Sequence, residues 1–146
     1  MKRIIALAAA LAATLVLALP ATAEAAPAVL RHHAAEIRNW RSGRCLTAAP
    51  SGRAALRPCT GARSQRWHVR GREIVASSGL CLTVIPSGAG RLLACGHRNQ
   101  RWIRYGQEIR SMFYPGECLY PHRGRAVTWP CSMALVPSAW WHRLGA

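Results

Sequence analysis

Apolar residues follow two patterns along this chain. Ile4 to Pro20 form one apolar run behind Lys2 and Arg3, whereas from Glu36 onward the apolar stretches are short and cut by turn formers such as Pro50-Ser51-Gly52 and Pro86-Ser87-Gly88. The first pattern is followed by the small-residue sites Ala21-Thr22-Ala23 and Ala23-Glu24-Ala25, and it predicts a cleaved secretory signal over 1–25 and an exported product. No later stretch reaches spanning length, so the mature form is expected to lack a membrane span. The second pattern predicts strands and tight turns rather than helices.

The short runs recur in a fixed order. Three segments open on Glu36-Ile37, Glu73-Ile74 and Glu108-Ile109, and each proceeds to a Gly two places before a Cys-Leu pair, at Gly43, Gly79 and Gly116. A second cysteine follows at a near-constant spacing, at Cys59, Cys95 and Cys131. Two segments close on Gln-x-Trp, as Gln65-Arg66-Trp67 and Gln100-Arg101-Trp102, while the third keeps only the Trp in Ala139-Trp140-Trp141. A period of about 36 residues marks a repeat architecture. The repeats run over about 36–72, 73–107 and 108–146, with 26–35 as a linker.

Each repeat reads as about four strands: at Glu-Ile, at Cys-Leu, before the second Cys, and at Gln-x-Trp. A unit of this size cannot bury both faces alone, so three must share a core, and closing them into a barrel removes the exposed sheet edges. The expected fold is all-β, a β-trefoil of twelve strands in three leaves. Six cysteines allow 15 pairings. The one that respects the repeat with local bridges joins Cys45 to Cys59, Cys81 to Cys95 and Cys118 to Cys131. In the chain-entropy view each such loop contributes on the order of 3 kcal/mol.

These landmarks resemble the ricin B-type lectin family, whose repeats carry Gly-x-Cys-Leu, a second Cys and a closing Gln-x-Trp. The resemblance covers Glu36 to Leu144 and implies a β-trefoil with up to three sugar pockets, one per leaf. It implies a structural role in the core first of all for Gln65, Gln100, Trp67, Trp102 and Trp141. Sugar binding in that family rests on an Asp directly after Cys-Leu, an aromatic platform two residues before the second Cys, and an Asn-Gln pair before the closing Trp. The Asp positions here are Thr47, Thr83 and Tyr120, and the chain contains no Asp. The platform positions are Arg57, Leu93 and Trp129, and the intact pair is Asn99-Gln100. A charged acceptor makes roughly twice as strong a hydrogen bond as a neutral one, so Thr is a weak replacement. The candidate ligand-binding residues are Trp129, Tyr120, Glu117 and His122 in the third leaf, with Asn99 and Gln100 in the second.

Charge adds a competing reading. The chain has 20 Lys plus Arg against 5 Asp plus Glu, and beyond Lys2 and Arg3 every one of these cations is arginine. Arg38, Arg41 and Arg44 cluster in the first repeat, as do Arg63, Arg66, Arg70 and Arg72 at its end. Guanidinium groups bind sulfate, phosphate and carboxylate in bidentate fashion. Anionic polysaccharides are therefore expected partners beside neutral glycans, with nucleic acid as a non-specific one. Catalysis is not expected, because Asp is absent and no nucleophile motif occurs. The histidines His32, His33, His68, His97, His122 and His142 lack ligand spacing, so neither metal nor cofactor is expected. Two functions stay open: a secreted, monomeric carbohydrate-binding module with degenerate pockets, and an Arg-rich polyanion-binding or protein-interaction module on the same scaffold.

Overall fold

The computed structural model describes residues 34–132 and 141–144, with the side chain of Trp141 alone described in the last segment. The signal sequence, most of the linker, His32, His33, Ser138, Ala139 and Trp140 lie outside the described residues. Among the described residues the short apolar runs form twelve strands. The first leaf holds β1 (Glu36–Asn39), β2 (Cys45–Ala48), β3 (Ala54–Arg57) and β4 (Trp67–Arg70). The second holds β5 (Glu73–Ala76), β6 (Cys81–Val84), β7 (Gly90–Leu93) and β8 (Trp102–Tyr105). The third holds β9 (Glu108–Ser111), β10 (Glu117–His122), β11 (Arg125–Pro130) and β12 (Trp141–Leu144).

Closure is carried by equivalent contacts in all three leaves. The pairs β4 with β5, β8 with β9 and β12 with β1 are antiparallel. Each closing Trp then donates its backbone N–H across a leaf, to Ala35 O at 2.9–3.0 Å in a reciprocal pair, to Arg72 O at 2.8 Å and to Gln107 O at 2.6 Å. These acceptors stand directly before Glu36, Glu73 and Glu108, so the repeat start is also the barrel seam.

The core repeats in the same way. Ile37, Ile74 and Ile109 point inward from the first strands, Leu46, Leu82 and Leu119 from the second, and Trp67, Trp102 and Trp141 from the fourth. Indole N–H groups need partners when buried. Those of Trp67, Trp102 and Trp141 donate to Leu46 O, Leu82 O and Leu119 O at 2.8, 2.9 and 2.9 Å, which ties the fourth strand of each leaf to its second. The disulfides Cys45–Cys59, Cys81–Cys95 and Cys118–Cys131 staple each hairpin at its base, with Cα separations of 5.0, 5.1 and 5.0 Å.

The three hairpins meet through small residues, Ala54, Gly90 and Ala126. A Cβ on Gly90 would stand 2.8 Å from Ala126 O and 3.1 Å from the Ala54 Cβ, so only glycine fits there. The third hairpin differs from the others in length. Its strands pair over six residues, from Glu117 with Pro130 to His122 with Arg125, and it closes on Arg123-Gly124 with φ of 47° and 74°. Two left-handed residues in a two-residue loop match the right-handed twist of the flanking strands.

Candidate functional site

The extended third hairpin carries most of the expected ligand residues. Trp129 on β11 is 46% exposed, and the His122 imidazole from β10 stacks parallel to its ring at 6.5 Å between centroids and 9° between planes. Glu117 opens β10 opposite Pro130, where the backbone N–H of Glu117 donates to Tyr114 O at 3.1 Å. Trp129 and Glu117 line one cleft of about 390 Å³ together with Tyr114, Thr128 and the Pro86–Gly88 turn of the second leaf. Tyr120 lies on the same strand as Glu117 but lines a different cleft, beside Arg123 and the β1–β2 turn.

Thr128 adds an unexpected feature. It is 6% exposed and its Oγ1 is buried with no hydrogen-bond partner. A buried hydroxyl without a partner costs about 1–3 kcal/mol. Gly88 packs directly over it: a Cβ there would stand 3.3 Å from Thr128 O and 3.6 Å from Thr128 Oγ1. The cleft thus combines an indole face with a carboxylate that accepts hydrogen bonds.

The equivalent positions in the other leaves are built differently. Thr47 and Thr83 stand where the lectin family carries Asp, and both are buried. Their hydroxyls donate to Cys45 O and Cys81 O at 3.0 and 2.9 Å, and accept the amides of Gln65 and Gln100 at 3.2 and 2.9 Å. These threonines are core locks rather than weakened sugar acceptors. The platform positions there hold Arg57 and Leu93, which offer no ring.

Asn99 and Gln100 stay apart from the third-leaf group. Gln100 is wholly buried, donating also to Ala94 O at 2.6 Å and accepting from His97 N at 2.9 Å. Its amide is engaged on both sides, as that of Gln65 is by Pro58 O and Thr60 N. Asn99 is half-buried and donates its Nδ2 to Val84 O at 2.8 Å, which directs the amide onto β6.

Three other carboxylates among the described residues stand beside the disulfides. Glu36, Glu73 and Glu108 each lie within 4.8 Å of their leaf's cysteine sulfurs, but those sulfurs are bonded to each other and are not thiolate ligands. Glu73 pairs with Arg70 at 2.9 Å and Glu108 with Arg110 at 2.7 Å. The Arg70 hydrogen bond, aided by the Gly96 N–H and opposed by partial burial, holds the Glu73 carboxyl below its ordinary range.

Twelve strands, three disulfide-closed leaves and a shared Trp-Leu-Ile core among the described residues define a β-trefoil whose repeats resemble those of ricin B-type lectin domains. No family model and no curated protein matches the sequence. Among solved structures, the β-trefoil lectin of the Vibrio vulnificus hemolysin/cytolysin, seen with N-acetyl-D-lactosamine bound, is similar over 77% of this chain and 93% of its own, with 21% identity and a TM-score of 0.64. The designed threefold-symmetric protein ThreeFoil is similar over 77% of this chain and 98% of its own, at 16% identity and a TM-score of 0.63. The hemolytic lectin CEL-III shows 25% identity and a TM-score of 0.60 over 72% of this chain, which spans 28% of that protein.

Proposed function

We propose that this protein is a secreted carbohydrate-binding module whose working sugar site is the third-leaf cleft. One observation carries the reading: Trp129 is the exposed ring at the family's platform position, and Glu117 shares its cleft. The apolar C–H face of a pyranose would stack on the indole. Its hydroxyls would donate to the Glu117 carboxylate.

Secretion is supported by the apolar leader behind Lys2 and Arg3 and by three disulfides, which persist in oxidising compartments. No helix among the described residues is long and apolar enough to cross a membrane. Binding is favoured over catalysis because Glu73 and Glu108 are held by arginines and Glu36 lies beside a disulfide. An acid–base pair needs two positioned groups, and the cleft is lined by one carboxylate.

The test is titration of the wild type, Trp129→Ala and Glu117→Gln with galactose, lactose and N-acetyl-D-lactosamine, followed by tryptophan fluorescence and calorimetry. With no Asp in the site, galactose and lactose should bind at or above about 1 mM, roughly 4 kcal/mol. Both variants should lose saturable binding. Saccharide binding that both variants retain would overturn the assignment.

A further inference from the structure

The first leaf has its own version of the third-leaf cleft, with the opposite charge. Arg44 immediately precedes Cys45 as Glu117 immediately precedes Cys118, and Leu56 stands three residues before Cys59 as Thr128 stands before Cys131. In both places the turn between the first two strands of one leaf faces the hairpin tip of the preceding leaf around the barrel. The first-leaf cleft measures about 570 Å³ and is lined by Arg41, Arg44, Arg123 and Tyr120, with no carboxylate. From these observations we infer that this cleft binds a sulfate or carboxylate group carried on a polysaccharide.

Three features support a built site rather than scattered surface charge. The turn bearing Arg41 and Arg44 is held from beneath by buried Asn39, whose Oδ1 accepts from Ser42 N at 3.0 Å and Ser42 Oγ at 2.9 Å. Arg123 arrives from the third leaf at φ 47°, a backbone region disfavoured for any side chain but glycine's, and the tight hairpin fixes where its guanidinium starts. None of the three arginines is in an ion pair among the described residues, where the two pairs seen are Arg70–Glu73 and Arg110–Glu108. Guanidinium forks match the geometry of sulfate and carboxylate oxygens. Single-stranded nucleic acid is disfavoured, because such sites stack successive bases on exposed rings and this cleft has the half-buried Tyr120 alone.

The experiment measures binding of a heparin-derived tetrasaccharide, its desulfated counterpart, and an oligodeoxynucleotide of equal charge. The proteins are the wild type, Arg44→Gln, Arg123→Gly, Trp129→Ala and the control Arg98→Gln/Arg104→Gln. Arg123→Gly removes a guanidinium at a backbone position that suits glycine, and circular dichroism on the same samples checks that the variant is folded. Each cleft variant should weaken tetrasaccharide binding about tenfold, the scale of one charge-assisted contact. The control pair should change it less than about threefold, as expected for screened surface charge. Trp129→Ala should leave it unchanged, which separates this site from the sugar cleft. Retained binding of the desulfated form identifies carboxylate as the recognised group, and its loss identifies sulfate. Equal losses in cleft and control variants, or oligonucleotide binding as tight as the saccharide's and equally sensitive to Arg44→Gln, would overturn the inference.

Discussion

Gln100 donates its side-chain Nε2 to Thr83 Oγ1 at 2.9 Å inside the second leaf, and both residues are completely buried. The bond links the strand after the first cysteine to the 3₁₀ turn over Arg98–Gln100 that leads into Trp102. It recurs in the first leaf between Gln65 and Thr47. In the third leaf Tyr120 occupies the Thr position and Ala139 the Gln position, so both partners of the lock have changed. Loss of this lock accompanies the longer hairpin and the exposed Trp129.

The lock predicts a coupling. Thr83→Val and Gln100→Met should each destabilise the protein, Gln100→Met more, because it also orphans Ala94 O and His97 N. Buried groups left without partners cost about 1–3 kcal/mol each. In a double-mutant cycle by urea denaturation the pair should couple by about 0.5–1.5 kcal/mol. Additive effects would show that the hydroxyl and the amide do not support each other.

The meeting point of the hairpins gives a steric prediction. Gly90→Ala puts a Cβ at 2.8 Å from a backbone oxygen, which cannot swing aside as a flexible side chain can. Overpacking of this kind costs about 1–3 kcal/mol. Thermal unfolding should show a lowered midpoint, and an unchanged one would mean that the hairpin tips are not in contact.

Acid should weaken the second leaf through Glu73. Its carboxyl is held below the ordinary 4.5, first by the Arg70 hydrogen bond, so the native state favours the ionised form. A depressed carboxyl contributes stability that is present above the unfolded value and lost as pH falls through the folded one. The wild type should therefore lose more stability between pH 5 and pH 3 than Glu73→Gln does. Arg70 is largely exposed, so the difference should stay under about 1 kcal/mol and shrink with salt. Parallel pH profiles for the two proteins would remove the Glu73 contribution.

The twelve strands and three bridges were legible because their signals are local: Glu-Ile starts a strand, Gly-x-Cys-Leu sets a turn and a staple, and Gln-x-Trp closes a leaf. The clefts were not, because each is made between leaves. Glu117 meets the Pro86–Gly88 turn, and Arg44 meets Arg123, only after the barrel closes. The different settings of Asn99 and Gln100 were not legible for a related reason. Adjacent residues on a 3₁₀ turn direct their side chains differently, so Asn99 reaches Val84 O while Gln100 turns into the core. The hairpin signal that could have been used is Arg123-Gly124, a two-residue loop ending in glycine.

The disulfides offer a way to separate scaffold from site. Cys81–Cys95 and Cys118–Cys131 close loops of nearly equal length, with sequence separations of 14 and 13, so removing either should cost a similar 2–4 kcal/mol or so. Their consequences for binding should differ. Glu117 starts the ladder directly before Cys118, and Cys131 follows Trp129 by two residues, so that bridge clamps the two walls of the third-leaf cleft at their common base. The second leaf carries Leu93, not an aromatic ring, two residues before Cys95. Cys118→Ser/Cys131→Ser should therefore weaken saccharide binding severalfold at a temperature where the protein remains folded. Cys81→Ser/Cys95→Ser should leave binding unchanged despite equal destabilisation, with circular dichroism and calorimetric titration run on the same samples. Equal loss of binding in both variants would mean that global stability, not the geometry of Trp129 and Glu117, sets the affinity.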